Sequence, residues 1–329
     1  MPIESDKRLY IQEVSVRDGL QIEPRFVPTQ QKIALIDRIS RTGVAQIEVT
    51  SFTSPKAIPA LADAEAVMRG IQRLPGVEYS ALIPNVRGCE RALACGVDEI
   101  NLVVSASETH NLANLRMTCE QSLQQLQNII HLVDGRTQIN VSLATTFGCP
   151  FEGRIATERV FSLIERVATL GVQRVSLSDT TGVANPSQVK QLCGGARQRW
   201  PHLRFSAHFH NTRGMGLANV VAALEAGIRH FDGSLGGLGG CPFAPGASGN
   251  VCTEDLVHML QEMGYDCGVD IQELIAIAAD MPGIVGHDVP GHVLKAGVSS
   301  LRYATPHWLG SSQSRLAGPD ETTASTAAL

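Results

Sequence analysis

Two histidines, an aspartate and an asparagine, far apart in the chain, are the residues whose types and spacing could do chemistry together. His208 and His210 stand two positions apart in "SAHFHNTRG" (206–214). On a β-strand, alternate side chains share a face, so the two imidazoles project the same way while Ala207 and Phe209 turn aside. Two neutral imidazoles and a carboxylate make a mixed nitrogen and oxygen donor set. That set suits Mg²⁺, Mn²⁺ or Zn²⁺ with positions left open for a substrate. No cysteine stands at 208 or 210, which speaks against a structural zinc site. By itself, the pair is as compatible with core packing as with ligation. Asp18, after Arg17 in "VSVRDGLQ", is the candidate carboxylate; its other reading is a plain turn residue before Gly19, with Arg17 as its salt-bridge partner. Asn250 closes the glycine-dense stretch "GGLGGCPFAPGASGN" (236–250) and offers an amide as a further ligand. Glu48 lies within the apolar "QIEVTSF", where a carboxylate needs a partner, and Arg17 is a candidate. Whether that pairing is structural or functional stays open. Cys241 follows two glycines in the same loop, as a movable proton donor or nucleophile would. Most other cysteines fall in helix-like or strand-like stretches, where a thiol is simply a small apolar residue.

Positioning these groups falls to a regular alternation of strand-like and helix-like segments. A strand over 10–18 precedes a helix over 30–43, whose Ile33, Leu35, Ile36 and Ile39 recur at helical spacing. The pattern repeats with strands at 45–52, 77–84, 99–107, 137–147, 174–179, 203–211 and 230–237, each followed by a helical stretch. Gly43, Gly96, Gly171, Gly227 and Gly264 stand where left-handed helix caps are needed. Eight βα units before residue 265, with no GxGxxG turn after the first strand, predict an α/β fold of the closed (β/α)₈ type, a TIM barrel, rather than an open sheet. In such barrels the chemistry sits at the C-terminal strand ends. Arg17 and Asp18 end the first strand, Glu48 lies on the second, and Asp179 ends the sixth. His208 and His210 lie on the seventh, and the glycine loop follows the eighth. All converge on one mouth. The division expected is a catalytic barrel over 1–265, a helical extension packed on it over 266–310, and a disordered small-residue tail over 311–329.

Bulk properties narrow the partners. The chain has 329 residues, 43% of them hydrophobic, enough to bury a large core. A formal charge of −5 and 5% aromatic residues give no reason to expect nucleic acid or an anionic membrane. The eight cysteines form no CxxC pair, so neither a zinc ribbon nor a disulfide lattice is indicated. No apolar run is long enough to span a bilayer and "MPIESDKRLY" has no leader-like segment, so the chain reads as soluble, reduced and cytoplasmic.

With these pieces placed, the chain resembles the 3-hydroxy-3-methylglutaryl-CoA lyase family of the DRE-TIM metallolyase superfamily. The motifs are "RDGLQ" (17–21), "IEVTSFTSPK" (47–56), "GCPFEG" (148–153), "SLSDTTG" (176–182), "HFH" (208–210) and "GLGGCPFAPGASGNVCTEDLV" (237–257). The first and the histidine pair are shared across the superfamily, whereas the cysteine loop is more particular to the lyases. The resemblance implies that Asp18, His208, His210 and Asn250 are ligands of a divalent cation, Mg²⁺ or Mn²⁺, with Zn²⁺ as the alternative. It implies that Arg17 stabilises a thioester enolate, that Glu48 supports Arg17, and that Cys241 acts in catalysis. Asp179 matches an aspartate of the family's active-site region. The implied reaction is retro-Claisen cleavage of an acyl-CoA thioester, 3-hydroxy-3-methylglutaryl-CoA giving acetyl-CoA and acetoacetate, by a homodimer. His208 or a water takes the 3-hydroxyl proton; Cys241 or a water protonates the enolate carbon.

Some positions depart from the family pattern. Asn140 and Ser142 replace an arginine and a tyrosine on the fifth strand, and Leu112-Ala113 a pair of lysines. Asn211 and Arg213 stand where an acidic residue and a tyrosine are usual. Gln21, Asn140, Ser142 and Arg213 are therefore assigned to the substrate pocket, and citramalyl-CoA, giving acetyl-CoA and pyruvate, is the nearest alternative substrate. A synthase condensing acetyl-CoA with a 2-oxo acid is the second reading; Asn211 leans that way, while Thr212 and the cysteine loop lean back.

Overall fold

Eight short parallel strands close on themselves in sequence order, each paired with its neighbours and the first with the last. A computed structural model describes residues 7–240 and 249–304. The chain divides into two units, Met1–Ala296 and Gly297–Leu329. The first contains β1 (Tyr10–Glu13), α1 (Thr29–Ser40), β2 (Gln46–Ser51), α2 (Ala64–Gly70), β3 (Glu78–Leu82), α3 (Val86–Ala94), β4 (Glu99–Ser105), α4 (Glu108–Leu115), α5 (Cys119–Val133) and β5 (Gln138–Ala144). It continues with α6 (Thr157–Thr169), β6 (Arg174–Asp179), α7 (Pro186–Arg199), β7 (Arg204–Phe209), α8 (Gly216–Glu225), β8 (His230–Gly233), α9 (Thr253–Glu262), α10 (Ile271–Val285) and α11 (Val293–Ala296). The TIM barrel expected from the alternation is the observed fold. The five glycines expected as caps have φ between +68° and +90°, a region closed to most side chains. At Gly43 a Cβ would also sit 2.1 Å from the Gly268 carbonyl oxygen.

The strand pattern explains the layering. Ile100, Leu102 and Val104 of β4 are fully buried. Alternate positions turn inward and most are polar: Gln46 of β2 donates to Glu99 of β4 (2.6 Å), and Arg174 of β6 donates to Glu78 and Glu99 (2.6 Å each). Bonds between non-adjacent strands must cross the barrel's interior. This interior is thus wired by hydrogen bonds where many barrels stack branched apolar side chains. At the N-terminal strand ends it widens into a cavity of about 420 Å³ lined by Tyr10, Gln12, Glu78, Arg204, His230 and Asp232, among others.

Three expectations about elements need correction. The first strand stops at Glu13, and Arg17 and Asp18 sit on a π-helical turn, Ser15–Gly19, rather than on the strand. The Val14 carbonyl accepts from the N–H groups of Arg17, Asp18 and Gly19. The buried Glu13 carboxylate fixes the departure point: it accepts from Ser15 N (2.8 Å), Leu235 N (3.1 Å) and Thr253 Oγ1 (2.5 Å). The seventh strand ends at Phe209, so His210 lies just beyond it, in an isolated bridge with Asn250. An extra helix, α4, precedes α5, started by Ser107, whose side chain accepts from His110 N.

α10 packs on α1 and α9 through the buried Leu274, Ile277, Ala278 and Met281, and both α10 and α11 fall within the first unit. The tail expected over 311–329 lies outside the described residues. Among the described residues no helix is long and apolar enough to cross a membrane.

Glu254, in the first turn of α9, is buried and accepts from Gly236 N (3.1 and 3.2 Å). Burial pushes its pKa from 4.5 up to about 8, more than its backbone bonds hold it down. The unfolded chain loses this proton near the ordinary value while the folded chain keeps it, so stability falls as pH rises from there towards 8. Glu254→Gln should remove that slope and stabilise the protein at pH 8 by on the order of 2–4 kcal/mol. Urea unfolding at pH 5 and pH 8 measures it, and an unchanged slope rejects the assignment.

Candidate metal centre

Asp18, His208 and His210, all buried, bring one ligand atom each to within 4.8 Å of the others. They meet where the π-helical turn, the end of β7 and the segment after Gly249 come together. Asn211 N donates to the Gly249 carbonyl (2.9 Å) and Val251 N to that of Phe209 (3.1 Å), which holds Asn250 beside His210. Gly249 has a φ of +91°, and a Cβ there would lie 2.2 Å from the Gly237 oxygen. Only glycine lets the two runs of backbone approach so closely.

The carboxylate is held from several sides. Asp18 Oδ1 accepts from Arg17 Nη1 (2.6 Å) and Gln21 Nε2 (3.3 Å), and Oδ2 from Asn250 Nδ2 (2.7 Å). The Asn250 amide nitrogen also donates to the Leu238 carbonyl (2.9 Å). Burial works against the charge on Asp18, but Arg17, the two histidines and Asn250 outweigh it and bring its pKa down to about 2. Asp18 is therefore ionised, as a ligand must be.

Arg17 reaches from Asp18 to Glu48, with Nε donating to Oε2 (2.5 Å) and Nη2 paired with the same oxygen. Burial alone would lower the pKa of the guanidinium; Glu48 and then Asp18 reverse that and keep it charged. Asn101 of β4 donates to the other Glu48 oxygen (2.8 Å), and its own oxygen accepts from Ser142 Oγ (2.8 Å) and Asn140 Nδ2 (3.0 Å). The chain of contacts from β5 to Arg17 is continuous.

The two imidazoles differ in their support. His208 Nδ1 lies 3.1 Å from Asp232 Oδ2, and His208 Nε2 lies 3.1 Å from His210 Nε2. With its Nδ1–H on the carboxylate, His208 turns the lone pair of Nε2 to the cluster, a tautomer assigned from the hydrogen bonds. Burial lowers the pKa of His208, but the hydrogen bond and charge of Asp232 raise it overall. His210 is pushed down to about 4 by burial and by His208, which leaves it a neutral imidazole. Two imidazole nitrogens and an ionised carboxylate, converging in a buried pocket, fit a divalent cation.

The remaining sequence candidates fall in several places. Gln21 joins the cluster through Asp18. Asp179 does not: its two oxygens accept from Val183 N (2.8 Å) and Ala184 N (3.1 Å), which folds the turn after β6. Burial raises its pKa to about 6. Arg213 is exposed and donates through Nη1 to the carbonyls of Thr181 and Gly182. Asn140 is buried below Ser142, with its amide nitrogen on Asn101 and Ser176 (3.0 Å each), and it borders the N-terminal cavity. Its side chain is thus committed inside the barrel, although the sequence reading assigns it to the substrate pocket. Cys241 lies outside the described residues. Sequence reasoning missed Asn101 and Asp232. The signal used for Glu48, a polar side chain inside an apolar strand, was present at Asn101 in "EINLVVS" but not at Asp232, whose strand reads "HFDG".

Comparison with known proteins points the same way. A family model described as HMGL-like matches residues 8–281. The chain is 44% identical over 295 residues to a hydroxymethylglutaryl-CoA lyase of Bacillus subtilis, covering 89% of this chain and 99% of that one. It is 40% identical over 270 residues to the human mitochondrial hydroxymethylglutaryl-CoA lyase, covering 82% of this chain and 83% of that one. A solved structure of an HMG-CoA lyase from Acinetobacter baumannii, in complex with coenzyme A and 3-methylmalate, superposes with a TM-score of 0.89 at 51% identity. It covers 93% of this chain and 100% of that chain.

Proposed function

Because the chain belongs to the HMGL-like family, we propose that it is a divalent-metal-dependent carbon–carbon lyase cleaving 3-hydroxy-3-methylglutaryl-CoA to acetyl-CoA and acetoacetate. The observation that carries the reading is the convergence of Asp18, His208 and His210 beside a buried, charged Arg17. In this proposal those three residues hold Mg²⁺ or Mn²⁺, with Asn250 as a fourth ligand through its amide oxygen. When bound, the cation supplies Lewis-acid polarisation of the substrate's 3-hydroxyl.

The protein's residues account for the rest. Loss of the hydroxyl proton to a water lets that oxygen become a ketone, because His208, with its Nδ1–H on Asp232 and Nε2 toward the ion, has no nitrogen free to take it. The bond between C2 and C3 breaks, and its electron pair moves to C2 and the thioester oxygen. Arg17, fixed by Glu48 and Asp18, has N–H donors to spare for that oxygen as its charge grows. Cys241 or a water then protonates C2, so no net proton is consumed.

Purified protein with the thioester should release acetyl-CoA and acetoacetate in equal amounts with Mg²⁺ or Mn²⁺. Chelation should abolish the release, and added metal should restore it. No acetyl-CoA with either ion rejects the reading. Citramalyl-CoA is the second substrate to assay, because the Acinetobacter relative was solved with 3-methylmalate, also a hydroxy-dicarboxylate. Release of acetyl-CoA and pyruvate from it alone would transfer the assignment.

A further inference from the structure

We propose that Asp232 of β8 is a positioning residue of the metal centre, fixing His208 in the tautomer that presents Nε2 to the ion. The inference rests on the metal-dependent reading above.

The placement follows from the strand register. Ser206 pairs with His230 and Ala207 with Phe231, so His208 and Asp232 are the next neighbours along the two strands. Both face inward. Asp232 Oδ2 lies 3.1 Å from His208 Nδ1, and the side chains are 10% and 11% exposed.

What separates Asp232 from the buried Glu13 and Asp179 is the use of its oxygens. Glu13 accepts from two backbone N–H groups and a hydroxyl, and Asp179 from two backbone N–H groups. Those two brace turns. Asp232 touches no backbone donor among the described residues. One oxygen takes the imidazole, and the buried Oδ1 has no hydrogen-bond partner there. A carboxylate kept largely out of water for one imidazole contact does little for folding. It does much for an imidazole that must donate from Nδ1 and ligate through Nε2. His210 has no such support, its Nδ1 being buried without a hydrogen-bond partner among the described residues. Of the two imidazoles, His208 alone is braced through Nδ1 among the described residues, by Asp232.

The test is Mn²⁺ binding, followed by electron paramagnetic resonance, in the parent, Asp232→Asn and Asp232→Ala. Both variants should bind Mn²⁺ roughly 10- to 100-fold more weakly than the parent. Saturating Mn²⁺ should return most of the turnover of Asp232→Ala. Asp232→Asn should recover less, because its amide can donate to Nδ1 and hold the wrong tautomer. Nitrogen-15 spectra of the metal-free histidines should place the His208 proton on Nδ1 in the parent and not in Asp232→Asn. Variants that fold, as judged by circular dichroism, and bind Mn²⁺ within twofold of the parent overturn the proposal. A parent that binds no Mn²⁺ overturns the metal-dependent reading itself.

Discussion

Arg17→Lys should fold normally and turn over roughly 10²- to 10³-fold more slowly at saturating substrate, the range for removing one donor to a developing oxyanion. Lysine keeps a charge for Glu48 and Asp18 but has no planar fork to grip one and aim at a third group. Arg17→Met should lose at least as much activity and also stability. It leaves Glu48, 1% exposed, and Asp18, 7% exposed, buried without their cation. Breaking a buried pair in this way costs about 3–5 kcal/mol. Urea unfolding separates the variants, since only the methionine substitution should shift the midpoint strongly. The comparison addresses the question that Glu48 raises in the sequence, whether its pairing is structural or functional. A lysine variant within threefold of the parent in kcat would make Arg17 a structural counter-ion and nothing more.

That question is open in the sequence for a physical reason. A carboxylate in "QIEVTSF" announces that it needs a partner, but spacing along one strand says nothing about what lies across a closed barrel. Glu48 reaches Arg17 and Asn101 only because β2, the π-helical turn and β4 face one another. The pairing of His208 with Asp232 likewise exists only once β7 and β8 are in register. Local signals fared better. The apolar period of α1 and the cap glycines depend on near neighbours, and both were legible. The turn at Ser15–Gly19 was not, because "YIQEVSVRD" alternates like a strand to its end. What breaks it is Glu13, whose carboxylate is anchored by Leu235 and Thr253 from the far end of the chain. The TIM barrel and the convergence of Asp18, His208 and His210 were thus readable from pattern and resemblance, while the residues that orient them depend on closure.

His210 allows the metal reading to be tested at its least supported ligand. His210→Ala removes a nitrogen from a set of three close donors and should weaken Mn²⁺ binding more than 100-fold, beyond the range for an outer partner. Unlike Asp232→Ala, it should not be rescued by excess metal, because no other described side chain is placed to replace the lost nitrogen. The same substitution makes a prediction about the metal-free protein. Burial, then His208, hold the His210 pKa at about 4 against an ordinary value of 6.5. The unfolded chain therefore takes up this proton at a higher pH than the folded one. The stability linked to His210 is complete above 6.5 and is lost as pH falls towards 4. That loss is on the order of 2–4 kcal/mol. In chelator, the parent should show this extra acid sensitivity between pH 7 and 4, and His210→Ala should lack it. Equal pH dependence in both proteins would mean that His210 is already protonated in the metal-free fold. It would then have to give up that proton before it could ligate, and metal affinity in the parent would climb about tenfold per pH unit up to neutrality.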